Sequence, residues 1–139
     1  MRSVLFVLLL AACTSETPTP TGAVCPSPDP MTLTYDNFGM AFMTKYCISC
    51  HDSELDYMER NGAPLYHDYD SLLGVMETAM HVDEYSASGP KSDNHEMPPD
   101  RCPSVPGGPL NIDCPQPTEE ERTNLGVWLI CEEARPHNF

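Results

Sequence analysis

The stretch Cys47-Ile48-Ser49-Cys50-His51 sets two thiols three positions apart and follows them at once with an imidazole. Three chemistries use such donors. A dithiol that exchanges with disulfides needs the two cysteines but no adjacent histidine. A structural zinc site combines thiolate and imidazole, but expects a second cluster of donors at metal spacing. Covalent attachment of a porphyrin uses every position: the two thiols add across two vinyl groups on one edge of the ring. The next residue is then carried under the ring, where His51 offers a nitrogen to iron. With 7 Cys and 5 His in 139 residues, chance produces this pattern about once in a hundred such chains. No βαβ pattern surrounds it, and His67, His81 and His95 do not form a second metal cluster.

The chain begins with a single positive residue, Arg2, and a continuous apolar run from Val4 to Leu10. That run is far short of the ~20 residues needed to span a bilayer and reads as a secretion signal. Leu10-Ala11-Ala12-Cys13 resembles the lipobox of bacterial lipoproteins. The resemblance implies removal of residues 1–12, a lipid on Cys13, and a place on the periplasmic side of a membrane or at the outer membrane or cell surface. Residues 13–30 are rich in Thr and Pro and have no apolar period, as expected of a tether. The folded domain is then expected over 31–139. A chain this short has a thin core and needs a covalent staple.

The net charge is −14, and loss of residues 1–12 removes Arg2 and no acid, leaving −15. This disfavours nucleic acid and anionic lipid surfaces and suits basic docking faces on protein partners. With Cys13, Cys47 and Cys50 set aside, Cys25, Cys102, Cys114 and Cys131 remain. An even remainder in an exported chain suggests two disulfides. Three pairings are open; the one favoured here joins Cys102 to Cys114 across a local loop and Cys25 to Cys131 between the first residues and the last helix.

The elements that must position these groups are helical. A first helix is expected over about 35–48, capped by Thr34 or Asp36, with Phe38, Phe42 and Tyr46 as an i, i+4, i+8 aromatic stripe. A second is expected over about 70–85, capped by Asp70 or Ser71, with Leu72, Leu73, Met76 and Met80 apolar. The capping box Thr118–Glu121 opens a third over about 118–134, burying Leu125, Trp128 and Leu129. Gly126 in mid-helix costs up to about 1 kcal/mol against Ala, which close packing on the first helix would offset. No sheet is expected.

With Cys47-Ile48-Ser49-Cys50-His51, the Met97-Pro98-Pro99 segment and a last helix carrying Trp128, the folded part resembles a monohaem c-type cytochrome. The resemblance implies an all-α domain of about three helices around one covalent haem, with long Pro-rich loops. It also implies iron held between His51 and Met97. Pro98 and Pro99 stiffen the backbone behind that thioether. His95, Met80 and His81 are the competing ligands, while His67 and His137 read as surface residues. Gly39 matches the family's glycine of close helix contact, whereas Met43 stands where the family commonly has an aromatic. The carbonyl of Pro64 resembles the family's acceptor for the second ring nitrogen of His51, and Arg60, Arg101 and Trp128 are candidate donors to the haem propionates. The function implied is single-electron transfer to redox partner proteins, not catalysis. The alternative is a haem-based sensor or binding module for a small ligand, with Met97 displaceable.

Overall fold

The computed structural model describes residues 19–137. A capping box starts the first helix: Thr34 Oγ1 accepts from the Asn37 amide, and Asn37 Oδ1 accepts from the Thr34 amide at 2.7 Å. The opening is a π-helical turn, Tyr35–Gly39, which runs into α1 (Met40–Tyr46). Phe38, Phe42 and Tyr46 contact one another down one face, with ring centroids 5.6 and 4.8 Å apart. Gly39 is what lets this face approach the last helix. A Cβ there would lie 2.6 Å from Trp128 Cη2.

The helix expected over 70–85 is two helices, α2 (Leu72–Glu77) and α3 (Ala79–Ser86). Thr78 interrupts them with φ −129° and ψ 23°, outside helical geometry. Ser71 caps α2 by accepting from Gly74 N–H, while Asp70 is occupied with Ser53 at 2.7 Å. The last helix, α4 (Glu119–Ala134), starts at the Thr118–Glu121 capping box. Leu125, Trp128 and Leu129 on α4 form the core with Phe42, Met43, Val75 and Val82.

Two features depart from the sequence reading. First, the fold is mixed α/β rather than all-α. Among the described residues it has four α-helices and one two-stranded antiparallel sheet, β1 (Arg101–Pro103) and β2 (Leu110–Asp113). Arg101 pairs with Asp113 and Cys102 with Ile112, and an irregularity follows before Pro103 meets Leu110. In a two-stranded ribbon both strands are edges, so prolines are tolerated there. The Cys102–Cys114 disulfide and the Arg101–Asp113 ion pair pinch the open end.

Second, packed structure begins before residue 31. Thr21 is fully buried, and its amide and Oγ1 both donate to the Asp83 carboxylate, at 2.8 and 2.7 Å. Cys25 is disulfide-bonded to Cys131 on α4. Gly126 faces this strap and not α1: a Cβ on it would lie 3.2 Å from Ala23 Cβ and from Ser88 O. Residues expected to be free tether are therefore part of the body from Thr19 onward. Cys13 and the signal segment lie outside the described residues.

Candidate functional site

Helix α1 stops at Tyr46, and the chain turns immediately. The amides of Cys50 and His51 both donate to Cys47 O, at 3.2 and 3.1 Å. This turn brings both thiols and the imidazole to the wall of one cavity of about 610 Å³. The size and mainly apolar lining suit a bound organic group. Met97 borders the same cavity from the other side of the sequence, with Pro98 and Pro99. Met97, 46 positions after His51, thus shares one space with Cys47, Cys50 and His51.

Both thiols are free. Burial pushes Cys47 up to about 12, and burial raises Cys50 as well. A thiol–disulfide exchanger needs the opposite shift, toward thiolate. A zinc site is not supported either. Among the described residues the group of donors close enough to share an ion is Cys25, Asp29 and Cys131, and its two sulfurs are bonded to each other.

His51 is fixed by a backbone acceptor. Its Nδ1 lies 3.0 Å from His67 O. A carbonyl only accepts, so Nδ1 carries the proton and Nε2 carries the lone pair. Burial lowers the pKa of His51, the His67 carbonyl bond opposes that shift, and the neutral ring is favoured. The ring stacks on Tyr69 with centroids 4.5 Å apart, and the Tyr69 amide donates to His51 O at 2.7 Å.

Pro64, expected to supply that acceptor, lines the cavity but is committed elsewhere. Its carbonyl accepts from Arg60 Nη1 at 3.1 Å. Arg60 is buried and spends its other donors on Leu55 O, Asp52 O and the Asp68 carboxylate. It therefore organises the 52–68 loop that delivers the His67 carbonyl and is not a free donor. Trp128 donates to Glu132 at 2.8 Å within the core. Arg101 borders the cavity with an exposed head, and its Nη1 is paired with Asp113 at 2.6 Å.

His95 does not border the cavity; its Nε2 lies 3.5 Å from Glu119 at the surface. His67 and His81 do border it, their rings stacked and Nε2 2.9 Å from Nδ1. Sequence reasoning missed His67 and Tyr69. A backbone acceptor leaves no trace in residue type, although the aromatic run Tyr66-His67-Asp68-Tyr69 was a signal.

The donor set fits a covalently held haem: two protonated thiols, a neutral imidazole with a defined lone pair, and a thioether around one apolar cavity. No family model, curated protein or solved structure matches the chain. No helix among the described residues is long and apolar enough to cross a membrane.

Proposed function

We propose that this chain is a monohaem c-type cytochrome that passes single electrons, exported and held at a membrane by a lipid on Cys13. The observation that supports it is the meeting of Cys47, Cys50, His51 and Met97 on the wall of one apolar cavity. Cys47 and Cys50 would hold the ring through thioethers, each S–H adding across one vinyl group, sulfur to one carbon and hydrogen to the other. Bound haem supplies an iron that gains and loses one electron without atom transfer.

The rest is work for the chain. The His67 carbonyl holds the proton of His51 on Nδ1 and so keeps Nε2 available to metal. Met97 offers a soft, uncharged sulfur, which favours the reduced state relative to a second imidazole. Tyr46, Tyr69 and Val82 line the cavity and exclude water. The acidic surface, net −14 over the full sequence, suits weak docking of basic protein faces.

The test is maturation of the full chain in a host with haem-attachment machinery. Intact mass is expected to show one haem, two disulfides and the acyl chains. The ferric protein is expected to show the weak near-infrared band of a thioether–iron bond. Colourless protein with free thiols at Cys47 and Cys50 would sink the reading. Met97 reaches the cavity from the loop between α3 and β1 and not from a helix, which favours displacement by a small ligand as the second reading. Ready binding of CO by the reduced protein, with no thioether band, would select it.

A further inference from the structure

Arg122 on α4 is 1 % exposed, and its guanidinium is charged at every accessible pH. A buried cation is costly unless something repays its lost hydration. Among the described residues, every hydrogen bond of Arg122 goes to a neutral acceptor. The two N–H groups of Nη1 are shared among the carbonyls of Ser86, Asn94 and Met97, at 2.8, 3.0 and 2.9 Å, and Nη2 donates to Gln116 Oε1 at 3.2 Å. Gln116 Nε2 donates in turn to the carbonyls of Pro98 and Pro99, at 3.3 and 3.2 Å.

The three consecutive carbonyls of Met97, Pro98 and Pro99 are thus held by one two-residue device. The Met97 amide is held too, donating to Tyr85 O at 2.9 Å. The backbone of Met97 is gripped at both ends while its side chain borders the cavity. Prolines restrict φ but cannot donate, so they cannot dock this segment against α4. Arg122 does that: Nη1 joins the end of α3 at Ser86 to the 94–97 loop, and Nη2 recruits Gln116.

We propose that Arg122, assisted by Gln116, is the positioning residue for Met97: it locks the backbone of the 97–99 segment so that the thioether is presented to the cavity. This rests on Met97 being the ligand opposite His51. The consequence is that Arg122 sets how readily an outside ligand displaces the thioether.

The experiment compares wild type with Arg122→Lys, which keeps the charge but is shorter and loses the bond to Gln116, and with Gln116→Ala, which removes an exposed side chain and leaves the buried cation in place. Imidazole titration of the ferric holoprotein is expected to show apparent affinity rising about tenfold in Arg122→Lys and about threefold in Gln116→Ala, as charge-assisted bonds are lost. Hydrogen exchange is read on the full chain as it matures. The Met97 amide is expected to exchange about tenfold faster in Arg122→Lys, with the Leu125 and Trp128 amides unchanged. Unchanged imidazole affinity and Met97 exchange in both variants overturns the proposal. So does equal acceleration at Met97, Leu125 and Trp128, which marks a general stabilising role. If wild type matures without haem, the proposed function fails, and Met97 exchange still decides the role of Arg122.

Discussion

Replacing Gly39 with alanine sets two effects against each other. Alanine is the better helix former, worth up to about 1 kcal/mol in a helix interior. Against that, the added Cβ would sit 2.6 Å from Trp128 Cη2 and 2.7 Å from Cε2. Carbon atoms pack at about 3.5–4.0 Å, so the helices must part by roughly 1 Å or the indole must move. The indole is not free to do so. Its Nε1 is bonded to Glu132 at 2.8 Å, and Tyr35 and Phe38 flank it with centroids at 6.3 and 6.0 Å. Overpacking costs typically about 1–3 kcal/mol; a pinned indole puts this site at the upper end, so about 3 less about 1 leaves a net loss of about 2 kcal/mol. Gly126→Ala is the internal control, because its Cβ would meet neighbours at 3.2–3.4 Å, and propensity there nearly balances crowding. Urea unfolding with disulfides intact measures both, with the m value checked for constancy. A Gly39→Ala protein as stable as wild type, or more so, would refute the claim that the α1–α4 contact is limited by this glycine.

Three further outcomes are expected. Burial raises the pKa of Asp83 above 3.8 even though Thr21 donates to it; the folded state then holds its proton longer than the unfolded one, and Asp83-linked stability is lost as pH rises through the folded value. Relative to Asp83→Asn, wild type should therefore lose stability as pH climbs from the acid range toward neutrality, and urea midpoints that move the other way would remove the linkage. Removing the Cys25–Cys131 pair, which closes a separation of 106 residues, should destabilise more than removing Cys102–Cys114, which closes 12; loop entropy gives about 5 against about 3 kcal/mol, and the reverse order in denaturant titrations would show that local strain or packing governs instead. Cys13→Ser should release the protein into the soluble fraction, and continued sedimentation with membranes would defeat the lipid anchor.

The residues that meet at the cavity were more legible in the sequence than the frame that brings them together. Cys47, Cys50 and His51 could be read because their spacing is itself the signal, and Met97 because two prolines mark its segment. The first and last helices were legible through their caps: Thr34 was one of two candidates, with Asp36, and Thr118 was read together with Glu121. The break at Thr78 was not, since Met76-Glu77-Thr78-Ala79 contains neither Pro nor Gly. The sheet was hidden by Pro103, Pro106 and Pro109, which argue against a strand unless both strands are edges. The acceptor for His51 was misread as Pro64 because any residue can offer a carbonyl, and only the fold decides that His67 does. Arg122 sits in Glu119-Glu120-Glu121-Arg122-Thr123, where pattern alone suggests a solvated face.

The burial of Thr21 and the Cys25–Cys131 bond also limit how far the body can stray from an anchor. A leash running from Cys13 to Met31 would extend at most about 60 Å, whereas one ending at Thr19 extends about 20 Å. A lipid on Cys13 would then hold the start of the body within that short reach of the headgroups. Any partner meeting the cavity would do so close to the bilayer and not out in the medium.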